Sequence, residues 1–419
     1  MKKLNFIDLF AGLGGLRIGF EEACFKNGII GKCILTSEIK KSAIKSLNHN
    51  FNENNIICDV TTIKANDIPD FDVLLGGFPC QAFSKAGNQL GFDDTRGTLF
   101  FEIAKILKIK KPKGFILENV DALVTHDKGK TFKIIINTLK ELGYFVSWEV
   151  LNSKDFGVPQ KRKRIFIVGS LIHPLKLTFK PVLSKVFKNI MENTKIMSNS
   201  IFSKKLLNKF SELDCYGKLI IDKRGGKNNI HSWNFELYGN VNEIQKTILN
   251  SLLLERRKKE YSNELNLIWR DGIPLLDFQI NRFMGFNVNS ELDDLVKKGY
   301  LNLKYPTYKL NGKNIDLKTY GLGYSIRIGR LSFEFNSIVN PDGYTQTITA
   351  TDIHKIGVIE NKSIRSLTDR EGLRLFGYPE TYNFPNTLTK SEKFDLLGNT
   401  VVVPIVNQLS DLLIKNISP

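Results

Sequence analysis

A cysteine set behind two glycines and a proline is the most reactive arrangement in this sequence: Phe71 to Gln81 reads Phe-Asp-Val-Leu-Leu-Gly-Gly-Phe-Pro-Cys-Gln. The apolar run Phe71 to Leu75 predicts a short buried strand, Gly76 and Gly77 end it, and Pro79 fixes φ just before Cys80. A thiol there would stand at the carboxyl end of a strand, where open α/β sheets keep their ligands. Cysteine is also among the most often buried residue types, so these eleven residues leave a nucleophile and an inert core thiol equally open. Three further acids fall at predicted strand ends: Glu38, Asp59 and Glu118. Glu118 follows one strand–helix unit after Cys80, and neighbouring parallel strands lie ~4.8 Å apart, so it could reach whatever the cysteine attacks.

The elements that must position these groups alternate. Lys3 to Phe10 predicts a strand that runs into the turn Ala11-Gly12-Leu13-Gly14-Gly15 and then a helix over 16–24. A dinucleotide fingerprint would need a third glycine where Arg17 stands, so the turn suits a nucleotide-like ligand without specifying one. A second strand over 32–36 precedes Ser37-Glu38, where a carboxylate could hold ribose hydroxyls, the alternative being a solvated helix start ahead of Lys40 and Lys41. Further strands are predicted at 55–58, 114–117, 145–151 and 165–169, with helices at 98–109 and 131–142 and a glycine-punctuated loop at 84–97. The basic turn Gly157 to Arg164, taken alone, is a solvated face. These elements predict a doubly wound α/β sheet with its ligands at the strand tips. Beyond Leu171 the alternation gives way to Lys/Asn-rich, weakly periodic sequence, a separate domain. A helix opened by a Thr368 capping box over 365–375 and an apolar helix opened by Gly398-Asn399-Thr400 over 401–413 return to the first domain.

The 419 residues allow two or three domains, and no apolar run approaches the ~18 residues of a membrane span. The first ten residues read as a strand rather than a signal peptide. Five cysteines form no C-x-x-C pair and no metal spacing, which points to a reduced, intracellular protein without a metal site. The net charge of +17 suits a polyanionic partner. Residues 171–350 hold 27 basic and 17 acidic residues, an excess of 10, against 7 in the other 239. The middle is therefore where phosphates would be gripped, although a lysine-rich proteome colours any solvated surface the same way.

In order, these blocks resemble the cytosine-5 DNA methyltransferase family through nearly all of the first domain and the last sixty residues. The matching blocks are Asp8-Leu-Phe-Ala-Gly-Leu-Gly-Gly15, Glu38, Asp59, Gly77-Phe-Pro-Cys-Gln81, Arg96-Gly-Thr-Leu-Phe100, Glu118-Asn-Val120, Gln160-Lys-Arg-Lys-Arg164, Arg365 through Pro379 and Gly398-Asn-Thr-Val-Val402. The resemblance implies a Rossmann-like, S-adenosylmethionine (SAM)-dependent methyltransferase sheet over 1–172, completed by 385–419. It also implies a smaller basic target-recognition domain and hinge over 173–384. It assigns catalysis to Cys80, Glu118, Arg162 and Arg164. Cofactor contacts would come from Asp8, Phe10, Gly12, Leu13, Gly14, Gly15, Glu38, Ile39, Asp59, Val60, Pro79, Leu99, Asn399 and Val401. Substrate contacts would come from Gln81, Ser84, Arg96, Asn119, Gln160, Thr347 and Ile348. Double-stranded DNA is the implied partner, acted on by a monomer in the bacterial cytoplasm. A restriction-modification system, the commonest setting, would add a cognate endonuclease. Two departures stand out. Lys40 occupies a position where the family usually carries an acid or amide, and residues 171 to about 350 match only at Gly343 to Ala350. The rival readings are a tRNA cytosine-5 methyltransferase on the same core, a non-catalytic DNA-binding relative, and an NAD-type oxidoreductase, which Arg17 disfavours.

Overall fold

A computed structural model of the chain describes residues 2–52, 56–57, 59–79, 99–194, 200–223, 225–226, 228–268, 272–310, 313–327 and 333–418. The chain forms two compact units. The first comprises Met1–Asn193, Pro341–His354 and Leu367–Pro419, and the second Thr194–Asn340 and Lys355–Ser366. Against the expected borders at 172 and 385, the first unit also takes in 173–193, 341–354 and 367–384.

The first unit is built on seven strands: β1 (Lys2–Leu9), β2 (Ile29–Ser37), β3 (Ile56–Ile57), β4 (Val73–Gly77), β5 (Gly114–Val120), β6 (Phe145–Asn152) and β7 (Lys163–Ser170). Their order is β3-β2-β1-β4-β5-β7-β6. The first five are parallel, and β7 runs antiparallel between β5 and β6. The chain leaves β1 towards β2 and returns on the other side at β4, which makes the carboxyl ends of β1 and β4 the switch point of the doubly wound sheet. Register sets the strand tips side by side: Leu9 lies opposite Ser37 and Gly76, Gly77 opposite Glu118, and Val120 opposite Arg164.

Helices α1 (Gly15–Lys26), α2 (Lys41–Phe51), α3 (Leu99–Lys110) and α4 (Lys130–Glu141) cross over between strands. Strand residues Leu74, Leu117 and Ile167 bury against Ile103, Leu107, Ile135 and Leu139 of α3 and α4 in one core. Each such side chain contributes about 1.5–3 kcal/mol through the water it leaves. Strand β4, and β5 as far as Leu117, are apolar because helices must cover a parallel sheet on both faces, whereas β1 also carries Lys2, Lys3, Asn5 and Asp8.

The second unit contains α5 (Ile201–Lys209), α6 (Glu212–Cys215), α7 (Glu243–Glu255), α8 (Lys259–Glu264), α9 (Asp277–Met284) and α10 (Asn289–Lys298). Strands β8 (Leu219–Ile220), β9 (Asn229–Ile230), β14 (Ser337–Ile338), β15 (Ile356–Glu360) and β16 (Ser363–Ser366) form a five-stranded sheet. Two ribbons pair β10 (Leu301–Lys304) with β13 (Gly323–Ile326) and β11 (Thr307–Leu310) with β12 (Lys313–Asp316). The weak periodicity seen in sequence conceals well-formed helices. Helix α7 opens with a capping box between Asn242 and Gln245, and it buries Leu249 and Leu252 with Trp233, Ile280 and Leu295.

Back in the first unit, α11 (Asp369–Arg374), α12 (Lys390–Gly398) and α13 (Val403–Ile417) complete the fold. The Thr368–Glu371 capping box is present, but Arg365 belongs to β16 rather than to the helix. Gly398 closes α12 instead of opening the last helix, which begins at Val403 because Pro404 is tolerated only in a first turn. Among the described residues no single helix is long and apolar enough to cross a membrane.

Candidate active site

The turn after β1 is held by short backbone bonds: Ala11 N donates to Ser37 O (3.0 Å) and Gly14 N to Ala11 O (2.7 Å). Phe10, Gly12 and Gly14 all take left-handed φ values, 57°, 56° and 74°, which glycine adopts freely and phenylalanine does not. Leu13 is buried and anchors the turn, while Asp8 lies fully buried beneath it. A Cβ on Gly15 would fall 2.7 Å from Val401 Cγ2 and 2.8 Å from the Tyr378 hydroxyl, so the turn packs directly on the final segment. There Tyr378 and Thr400 share a 2.5 Å hydrogen bond, and burial pushes the Tyr378 phenol up, with Asp8 adding to the effect. Arg17, at the missing third-glycine position, bonds Glu21 (2.8 Å) and lies 4.2 Å over the Phe51 ring, turned to packing rather than to a pyrophosphate.

Two acids line the next strand tips. Glu38 receives Gly12 N on Oε2 and Lys40 N on Oε1, both at 2.7 Å, so backbone amides fix its carboxylate and half of its lone pairs remain for a ligand. Ile39 beside it is 71% exposed, an apolar surface open to a flat ring. Asp59 caps the short turn Val60–Thr62, and the Thr61 hydroxyl (2.7 Å) and amide (2.9 Å) hold its carboxyl below the usual range. Val60 and Val401 are buried, Leu99 is half-buried at the start of α3, and Pro79 is exposed. Asn399 is exposed and donates its amide to Asp395 O (2.9 Å) and Oδ1 (3.2 Å).

Cys80, Gln81, Ser84 and Arg96 lie outside the described residues. What leads up to the cysteine is nonetheless clear. Asn119, expected against substrate, is buried and donates from Nδ2 to Phe78 O (2.9 Å), two residues before Cys80. Its Oδ1 accepts from Val120 N (2.8 Å), so Asn119 clamps the tip of β4 to that of β5. Glu118, paired in register with Gly77, forms an ion pair with Arg164 Nε at 3.1 Å, the two side chains being 11% and 16% exposed. Burial raises the Glu118 carboxyl, opposed by Arg164 and then Arg162.

The basic turn is a solvated face only at Lys161 and Lys163. Arg162 is 2% exposed and donates to the carbonyls of Ile348 (2.8 Å), Thr400 (2.9 Å) and Gly398 (3.2 Å). Burial presses its pKa down, Arg164 adds to this, and Glu118 opposes it. Gln160, expected to touch substrate, is fully buried: Nε2 donates to Leu375 O (3.0 Å) and Oε1 accepts from Ile348 N (3.2 Å). Thr347 Oγ1 donates to Lys161 O (2.7 Å) and Ile348 is buried. Residues 345–348 are thus strapped to 159–162 within the first unit. The sequence reading missed Asp395 and the Tyr378–Thr400 pair, whose partners are remote along the chain. Chemically, a carboxyl inclined to keep its proton beside a fixed guanidinium can protonate a ring nitrogen and balance the charge that develops there.

Comparison with known proteins agrees in kind. Residues 4–415 match the family model described as C-5 cytosine-specific DNA methylase. The chain is 50% identical over its full length to the whole of the Type II methyltransferase M.NlaIV of Neisseria lactamica. It is 39% identical to the Type II methyltransferase M.HgiCI of Herpetosiphon aurantiacus over 96% of each chain. Among solved structures, the Entamoeba histolytica methyltransferase EhMeth superposes with a TM-score of 0.56 at 18% identity, covering all of both chains. The S. pombe Dnmt2 methyltransferase gives 0.52 at 18%, covering 99% of this chain and 100% of its own. At such identities the likeness is one of fold.

Proposed function

The chain belongs to the C-5 cytosine-specific DNA methylase family, and from that premise we propose that it methylates carbon 5 of a flipped-out cytosine in a specific duplex site, with SAM as donor and Cys80 as nucleophile. The observation that carries this is the buried Glu118–Arg164 pair, placed at the tip of β5 in register with the strand that leads to Cys80.

The residues fit SAM by their donor set. Glu38 keeps acceptors for ribose hydroxyls, Asp59 for the adenine amino group, and Ile39 offers a face to the ring. Carboxylates at two strand tips suit a cationic nucleoside and repel a pyrophosphate. When bound, SAM supplies an electrophilic methyl group. Phe10, the 12–15 turn, Pro79, Leu99, Asn399 and Val401 would hold it.

Carbon 5 of cytosine is a weak nucleophile, and addition of the Cys80 thiolate to carbon 6 makes it enamine-like. Glu118 delivers a proton to ring nitrogen 3 as that bond forms, and Arg164 holds the carboxylate left behind. Once carbon 5 carries the methyl group, a base takes its proton, the carbon 6–sulfur bond breaks, Cys80 leaves as thiolate, and the proton on ring nitrogen 3 returns to Glu118. Arg162 and Gln160 position Arg164 by fixing the turn that carries it. A stacked cytosine cannot be reached, so the base must leave the helix. The basic second unit would grip phosphates and read the groove. The Type II names of the relatives support a bacterial restriction-modification setting, with a cognate endonuclease as system partner and the cytoplasm as location.

The test is a duplex carrying 5-fluorocytosine at the target. Fluorine cannot leave as a cation, so wild-type protein and SAM should give a denaturant-resistant, salt-resistant complex that Cys80→Ser and a no-SAM control lack. No such band on any cytosine-containing duplex, while SAM still binds, would overturn the proposal; a band on tRNA instead would transfer it to that substrate.

A further inference from the structure

Lys40 departs from the family pattern, and it stands where helix physics disfavours it. It is the N-cap of α2, a position that prefers Ser, Thr, Asn or Asp, and its side chain makes no capping bond. A cation there also meets the positive end of the helix dipole. Asp395 is misplaced in the opposite sense, an acid in the last turn of α12, where cations are favoured. The two misplaced charges meet: Lys40 Nζ is paired with Asp395 Oδ2. Local rules broken twice, and reconciled only by one tertiary contact, mark a functional position.

Both ends of this pair join groups assigned above to the cofactor. Lys40 N fixes Glu38 Oε1, and Asp395 Oδ1 and carbonyl oxygen take the amide hydrogens of Asn399. The Asn399 amide is thereby oriented: its nitrogen is spent on Asp395 and its oxygen is the atom left to face a ligand. We propose that Lys40 and Asp395 are positioning residues that clasp 38–40 to 395–399 and turn Asn399 so that its amide oxygen accepts from the α-ammonium of the methyl donor. Among the donors SAM carries, the ribose hydroxyls fall to Glu38 and the adenine amine to Asp59, which leaves the ammonium. This inference rests on the SAM reading above.

Titration calorimetry of the full chain tests it, using S-adenosylhomocysteine and its analogue with hydrogen in place of the α-amino group. Hydrogen bonds to charged groups predict a loss of about ten- to a hundredfold on deleting the amine from the ligand of the wild-type protein. Asp395→Ala removes the Oδ1 acceptor and the charge pair and leaves Asn399 held only by the backbone carbonyl of residue 395, about which its amide can turn, so affinity for S-adenosylhomocysteine should fall about tenfold and the amine should then matter less than about threefold. Lys40→Met and Asp395→Asn remove only the exposed charge pair and should each cost about two- to fivefold, the double variant no more than either. Lys40→Arg should restore wild-type affinity. A merely structural role would not change the penalty for the missing amine. The clasp is overturned if Asp395→Ala keeps the full wild-type penalty, or if wild type shows a penalty under about threefold. Wild type that binds neither ligand removes the SAM reading and the clasp together.

Discussion

Replacing Glu118 with glutamine removes the charge of its ionised form and the transferable proton of its protonated form while keeping length and an acceptor. Glu118 and Arg164 lie 3.1 Å apart and are 11% and 16% exposed. At an effective dielectric of ~20 their attraction is about 5 kcal/mol, most of it offset by the water both ions gave up. Glutamine leaves the guanidinium without its counter-charge, so we expect a loss of about 3 kcal/mol in stability. The chemical cost is larger in consequence. A positioned proton donor contributes about 10²–10⁴ in rate, and a thousandfold loss corresponds to about 4 kcal/mol. DNA affinity should change less than about threefold, because the role proposed for Glu118 is at the reacting base and not at phosphate. The assay is single-turnover methyl transfer from a preformed protein–DNA complex at saturating SAM, beside a DNA titration and a urea melt. Equal losses in rate and affinity, or a rate within about threefold of wild type, would refute the role given to Glu118.

Cys80→Ser should abolish transfer yet retain SAM affinity, since the hydroxyl cannot add to carbon 6 and the cofactor rests on other residues; normal transfer by the serine variant would sink the covalent route. Arg162→Met strands three buried carbonyls, those of Ile348, Gly398 and Thr400, and should cost at least about 3 kcal/mol by urea unfolding; a loss under about 1 kcal/mol would show that the strap holds without it. Burial raises the Glu118 carboxyl, so it keeps its proton to higher pH than an ordinary glutamate, and Arg164 works against this. Arg164→Gln should therefore move the alkaline limb of the single-turnover rate upward even as the maximum falls; a downward shift contradicts that sign.

Strand–turn–helix alternation, the glycine turn and the strand-tip acids were legible in the sequence because each depends on its nearest neighbours. Period-2 and period-3.6 apolar patterns report which face is buried, and glycine or proline reports where the backbone turns. Glu38, Asp59 and Glu118 could be set at strand ends from that alone. The second unit was less legible, since its helices are short and its core is spread over many weak stripes.

What only the tertiary structure decided are contacts with no local trace. Gln160 and Arg162 look like any polar turn until segments far along the chain close over them: Arg162 meets Ile348 at a separation of 186 residues. Lys40 meets Asp395 at 355. Composition and periodicity describe how a residue fits its own element, and they are silent on which remote carbonyl or carboxylate will repay the burial of a charge. For this protein the sequence by itself therefore determined the sheet, the turns and the acids at their tips. Packing of the returning segments 341–354 and 367–419 decided which polar side chains became buried struts and which stayed exposed.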